Sequence, residues 1–288
     1  MNGRPPVLTL LYAPADRPER YAKAAAAGPD VVIIDLEDSV APAHKDDARL
    51  YALDWVGSLS SGDRSRVQVR VNALATPWGH DDLAAFGDVS DLGGVRVPKV
   101  ESVDDLDAVS ETLAAAVPIH ALIETALGVE AAYDIARHPR VATIGLGEAD
   151  LASDLGVGGD PALLWSRGRV VVATRAAGLP PPAMSVYPAF RDDDGLARSC
   201  EAGRVLGYIG RAAVHPRQLQ VIVQAFRPSA DEVARASAVV ASLAAADQAG
   251  SGIAVTDDGA MVDAAMLGRA RAVLELDQAA ARFEVNRR

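Results

Sequence analysis

Residues 141–156 read VATIGLGEADLASDLG. An apolar, β-branched run of the kind used by a buried strand reaches Gly145 and Gly147, and a helix-like stretch carrying Glu148, Asp150 and Asp154 follows at once. A strand that hands over to a helix through glycines is one βα unit, so the fold depends on how often the unit recurs. Similar runs stand at VLTLLY (7–12), VVIID (31–35), VQVRV (67–71), GVRVP (94–98), IHALI (119–123), AMSVY (183–187) and RAAVH (211–215). Most are almost continuously apolar, as parallel strands covered on both faces must be. Between them lie helix-like segments such as RPERYAKAAAAG (17–28), SVDDLDAVSETLAAAV (102–117) and LLWSRGRVVVATRAAG (163–178). Strands alternating with helices in this number predict an α/β fold, a (β/α)8 TIM barrel.

Local signals support the helices. Pro18 opens the first and Gly28 follows it, the asymmetry a helix prefers. Ser102 with Asp105, and more clearly Ser229 with Glu232, have capping-box spacing. Beyond the eighth strand come QLQVIVQAF (218–226) and SADEVARASAVVASLAAADQA (229–249), both helical in pattern. A loop-like GSGIAVTDDGAMVD (250–263) and a last helix from about Ala264 to Phe283 complete the chain. Residues 1–226 are therefore expected to form the barrel, and 227–288 a helical extension that packs on a neighbouring subunit or covers the barrel mouth.

Half of the 288 residues are apolar, which suits a folded globular protein. The formal net charge of −11 and a pI near 4.9 exclude the basic footprint of a nucleic-acid binder. Any polyanionic ligand must be met by a local group of Arg and Lys. Cys200 is the single cysteine, so an internal disulfide and a thiolate metal cluster are excluded, and its sequence setting reads as packing rather than nucleophilic. No apolar run approaches a membrane span, and the N-terminal run is too short for a signal peptide; a cytoplasmic protein without membrane contact is expected.

In such a barrel the chemistry lies where the strands end and the βα loops begin. In turn, the strands deliver Tyr12 with Asp16 and Arg17, Glu37 with Asp38, Arg70 with Asn72, and Lys99. The later strands deliver Glu124, Glu148 with Asp150, Tyr187, and His215. Carboxylates without Cys and with few His suit Mg²⁺ or Mn²⁺ with oxygen ligands rather than zinc. Each acid also has a plain structural reading. Glu124 suits the start of the helix that follows it, and Asp150 could cap. Asp154 reads as a helix-surface acid about 6 Å along the axis from the rim. Arg17, Arg20 and Lys23 are either a solvated helix face or a phosphate-binding group.

The stretches LYAPADRPERYAKA, VVIIDLEDSVAPAHKDDAR, VRVNALATPWGHDDL, VRVPKVES, ALIETALGV, GLGEADLASDLG, AAVHPRQL and GAMVDAAML occur in this order along nearly the whole chain. With them the sequence resembles the HpcH/HpaI aldolase/citrate lyase superfamily, more closely its citrate lyase β-subunit-like branch, which includes citramalyl-CoA and malyl-CoA lyases. The resemblance implies a TIM barrel assembled as a homotrimer or a multiple of three. It implies Mg²⁺ held by Glu124 and Asp150, with Arg70 and Glu124 contacting substrate and Arg70 acting in catalysis. It further implies that Asp263, supplied by a neighbouring subunit, completes the site as an acid/base. CoA contacts are expected from Tyr12, Arg17, Arg20, Lys23, Lys99 and His215. The expected activity is Mg²⁺-dependent cleavage of a β-hydroxyacyl-CoA to acetyl-CoA and a 2-oxo acid, or the reverse. Alternatives are a CoA-independent hydroxy-oxo-acid aldolase, and a citrate lyase β-type subunit serving an acyl-carrier partner.

Overall fold

A computed structural model describes residues 5–248, 251, 253–256 and 261–286. Its centre is a sheet of eight parallel strands: β1 (Thr9–Pro14), β2 (Val31–Asp35), β3 (Val67–Arg70), β4 (Gly94–Val97), β5 (Ile119–Ile123), β6 (Val141–Leu146), β7 (Ala183–Met184) and β8 (Gly210–Ala213). The hydrogen-bonded order runs from β6 down to β1 and then to β8 and β7, which brings β7 back beside β6. With helices between successive strands, this is the expected TIM barrel.

Alternation along the strands divides the interior into two zones. Outward residues such as Leu11, Val32, Ile34, Val69, Val95, Val97, Ile119 and Ile123 join the helices in one large apolar core. The inward apolar cluster is small: Leu10, Val31, Ile33 and Ala212, with Tyr12 and Ala183 against it. Much of the remaining lumen is polar. Successive register partners Asp35, Arg70, Arg96, His120 and Thr143 form one line across β2 to β6, so their side chains share the inner face. Glycines make room for these side chains. Gly94 has φ +137°, and a Cβ there would stand 2.6 Å from both His120 Nε2 and the Pro118 carbonyl.

Both expected capping boxes form: Ser102 with Asp105, and Ser229 with Glu232. Cys200 is buried in the helix Asp193–Leu206, consistent with a packing role. Residues 250–263 depart from the expected loop, because Ile253–Val255 and Met261–Asp263 pair as an antiparallel hairpin; Gly250, Gly252 and residues 257–260 lie outside the described residues. Helices Ala230–Gln248 and Ala264–Asn286 pack on each other, and Ala279, Ala280 and Phe283 return the last helix to this chain's own core. Arg227 ties that return with ion pairs to Asp277 (3.1 Å) and Glu284 (3.0 Å). Among the described residues no helix is long and apolar enough to cross a membrane.

Gly94→Ala should destabilise the protein by about 2 kcal/mol or more, because the new methyl meets both a backbone carbonyl and a buried ring. Urea denaturation checks this, and an unchanged midpoint would refute the fit described for His120.

Candidate active site

Arg70, at the end of β3, is buried among acids. Its Nε and Nη2 donate to the two oxygens of Asp35 at 2.7 and 2.8 Å, the bidentate geometry that suits a planar guanidinium. Its Nη1 faces Glu37 at 2.8 Å and Asp38 at 3.2 Å, and the guanidinium lies 5.2 Å from the Tyr12 ring centre. Burial alone would raise the Asp35 carboxyl, but Arg70 overrides it and holds the acid below its ordinary range.

Glu124 follows β5 and is 2 % exposed. Its Oε2 accepts the backbone N–H of Lys99 at 3.1 Å. A Cβ on Gly147 would collide with its carboxyl, so the glycine of the opening stretch is what lets β6 approach Glu124. The Lys99 ammonium stands 3.4 Å from Glu37 and 3.8 Å from Asp150, between the two acids. Burial first, then the nearby Glu37 carboxylate, pushes Glu124 up to about 7. Burial likewise raises Glu37. A cluster of acids that resists full ionisation by itself is suited to a cation.

Two loops supporting the cluster are joined by Lys45. Its buried ammonium donates to the Leu36 carbonyl (2.7 Å), the Glu37 carbonyl (2.8 Å) and Asn72 Oδ1 (2.6 Å). Asn72 in turn donates its backbone N–H (2.9 Å) and Nδ2 (2.6 Å) to Asp82. The loop after β2, which carries Glu37, is thereby fixed to the loop after β3.

The structure thus brings Tyr12, Arg70, Lys99, Glu124 and Asp150 together. Lys99 points into the acids, and not toward the exposed Arg17, Arg20 and Lys23 beyond β1. Exposed His215 stacks on Phe190, with ring centres 5.1 Å apart. Asp263 is exposed on the C-terminal hairpin, where it accepts the Ala265 N–H at 2.9 Å. Glu148 turns to Arg167, its oxygens 2.9 and 2.5 Å from the guanidinium. Asp154 is more than a helix-surface acid, because it accepts the Ala126 N–H at 2.7 Å across 28 residues and so satisfies the first turn of the helix that follows Glu124.

The model of the HpcH/HpaI aldolase/citrate lyase family matches residues 8–216. The chain belongs to this family. It is similar to a (3S)-malyl-CoA thioesterase of Cereibacter sphaeroides, 38 % identical over 282 residues and covering 96 % of this chain and 97 % of the relative. It is also similar to an L-malyl-CoA/beta-methylmalyl-CoA lyase of that organism, 32 % identical, with 92 % of each chain covered. Among solved structures, Mycobacterium tuberculosis CitE in complex with magnesium, acetoacetate and coenzyme A superposes with a TM-score of 0.78. That match has 32 % identity and covers 94 % of this chain and 98 % of CitE.

Within this HpcH/HpaI chain, Glu124 and Asp150 offer hard carboxylate oxygens at the rim. Among the described residues no group of three or more His, Cys, Asp or Glu side chains is arranged to hold an ion by itself. Two acids fit Mg²⁺ nonetheless, since that ion commonly takes one or two carboxylates and completes its shell with water and ligand oxygens. Sequence reasoning missed Asp35, Lys45, Gln68, Arg96 and His120. For Gln68 and Arg96 the available signal was the alternation in VQVRV (67–71) and VRV (95–97), in which the valines face the helices and the polar residues the lumen.

With a chelator present, Glu124→Gln should raise the melting temperature at pH 8 and leave it nearly unchanged at pH 5. Glu124 titrates higher in the folded chain than when unfolded, so its contribution is most favourable at low pH and is lost as pH rises through about 7. A larger effect at pH 5 than at pH 8 contradicts the sign of this shift.

Proposed function

We propose that the chain is a Mg²⁺-dependent carbon–carbon lyase acting on a β-hydroxyacyl-CoA of the malyl-CoA or citramalyl-CoA type, giving acetyl-CoA and a 2-oxo acid, or joining them in reverse. The observation that carries this reading is the group of Glu37, Glu124 and Asp150 set beside a permanently charged Arg70 at the barrel rim. Glu124 and Asp150 would hold Mg²⁺, which as a Lewis acid polarises the oxygen on the carbon that becomes the oxo group. Arg70, fixed by Asp35 on its Nε and Nη2 edge, would share the Nη1 that meets Glu37 and Asp38 with charge on that oxygen or the adjacent carboxylate. Glu37, buried and held between Arg70 and Lys99, accepts the hydroxyl proton. As the carbon–carbon bond breaks, its electron pair passes to the thioester as an enolate, which takes a proton from Asp263 of a neighbouring copy and leaves as acetyl-CoA.

The exposure around Asp263 supports that last role. Its hairpin shows Ile253, Val255 and Met261 to solvent, 55, 65 and 68 % exposed, an apolar face suited to covering another copy's barrel mouth in a trimer or a multiple of three. Arg17, Arg20 and Lys23 would supply the cations an acidic chain needs for CoA phosphates, with Tyr12, Lys99 and His215 as further CoA contacts.

The thioesterase relatives favour a second reading, hydrolysis of the thioester itself. Incubation with malyl-CoA or citramalyl-CoA and Mg²⁺ separates the two: acetyl-CoA with an oxo acid means lyase, free CoA with the intact hydroxy acid means hydrolase. Turnover of the free CoA ester by the isolated chain also excludes dependence on an acyl carrier. Glu124→Gln and Asp150→Asn should each lower kcat at least about 100-fold and abolish Mg²⁺ binding by calorimetry. Asp154→Ala should keep Mg²⁺ binding and lose only about 1 kcal/mol of stability, the worth of a helix-terminal hydrogen bond. Mixing Arg70→Ala and Asp263→Ala subunits, with exchange demonstrated, should restore part of the activity; none is restored if each site lies within one chain.

A further inference from the structure

Arg96 occupies the lumen beside Arg70 and is used by nothing described so far. The two are direct register partners on β4 and β3, both facing inward. Like charges so placed repel, and a buried guanidinium is costly unless a carboxylate compensates it. Arg70 is in ion-pair contact with three acids; Arg96 makes no ion pair among the described residues, and Glu124 acts on it only from beyond contact distance. It is 8 % exposed, and only the neutral Gln68 engages it, with Oε1 accepting from Nε at 3.2 Å and Nη2 at 2.7 Å. Among the described residues Nη1 of Arg96 has no hydrogen-bond partner. It lies 3.8 Å from where a Cβ on Gly145 would stand, while the next inward glycine, Gly147, borders the Glu124 carboxyl. Arg96 thus reaches across the lumen beneath the acids, into space that β6 leaves open by carrying glycine.

We propose that Arg96, held by Gln68, is a specificity-determining residue that receives a second carboxylate on the oxo-acid part of the substrate. The inference rests on the lyase reading above and narrows its substrate: malyl-CoA and citramalyl-CoA release glyoxylate and pyruvate, each with one carboxylate, whereas the ester preferred here carries a second carboxylate on its oxo-acid part. An oxo acid whose first carboxylate meets Arg70 at the rim has Arg96, a cation without an ion pair, below it for a second. A substituent ending in hydrogen or methyl leaves the Nη1 edge unpaired; one ending in carboxylate completes a charge-assisted hydrogen bond. The site therefore prefers a dicarboxylic 2-oxo acid to a monocarboxylic one, and cleaves the corresponding hydroxyacyl-CoA in preference.

Oxaloacetate and pyruvate differ by one carboxylate in place of a hydrogen, which makes them the probes. Calorimetry with Mg²⁺ should find oxaloacetate bound roughly 10- to 100-fold more tightly by the unsubstituted protein, the range of a charge-assisted contact. In Arg96→Met the preference should fall to about threefold or less while pyruvate affinity is kept. Arg96→Lys, which retains charge and lacks the fork, should fall between them, and it serves as the test if the Met variant does not melt cooperatively. Equal affinities in the unsubstituted protein, or equal weakening of both acids by the substitution, overturn the assignment. If neither acid binds the unsubstituted protein with Mg²⁺, the lyase reading fails first, and this inference with it.

Discussion

The bidentate pair between Asp35 and Arg70 is the constraint on which the rest of the site depends. It is made inside a barrel, where neither partner is stable alone, and it joins adjacent strands at their functional ends. Because Asp35 takes the Nε and Nη2 edge, Arg70 has a single orientation, with Nη1 toward Glu37 and Asp38 and its face toward Tyr12. A buried ion pair adds little net stability over an apolar pair of similar size. Its value here is positional: a permanently charged group is fixed at the rim before any ligand arrives.

The barrel tolerates this polarity because its stability lies elsewhere. Outward valines, isoleucines and leucines of the strands form the large core with the surrounding helices, including Phe86, Phe226 and Leu106. The lumen, relieved of that task, carries Gln68, Arg96, His120 and Thr143 below the rim. His120 lies between Thr143 Oγ1 at 2.8 Å and the Gly93 carbonyl at 3.0 Å, so hydrogen bonds close the β4–β6 side of the lumen, opposite the small apolar cluster of Leu10, Val31, Ile33 and Ala212.

Acids near the rim divide between the proposed metal ligands and those that support them. Glu148 grips Arg167, which also meets Asp160 at 2.9 Å, and this anchors the helix that carries Asp150. Asp154, from the end of that helix, holds the first turn of the helix after Glu124. The two proposed metal ligands are therefore carried on βα turns that support each other. Lys45 does the same for the turns after β2 and β3. Stretches that read as separate motifs along the chain, VVIIDLEDSVAPAHKDDAR and VRVNALATPWGHDDL, are one polar scaffold in space.

The sequence by itself determined the barrel, because a parallel strand covered on both faces must be apolar along most of its length, and such runs stand out between alanine-rich helices. It also determined which strand ends carry Arg70, Glu124 and Asp150, since a strand's end is a local property of the chain. Tertiary structure alone decided the partners. Asp35 is the last residue of the run VVIID, and nothing local distinguishes an acid that pairs across the sheet from one that begins a loop. Arg96 and Gln68 alternate with valines, a pattern that commonly marks a solvent face; closure of the barrel turns that face inward. The roles of Glu148 and Asp154 were decided in the same way, by Arg167 and by the helix beginning at Ala126, which the fold alone brings within hydrogen-bonding reach.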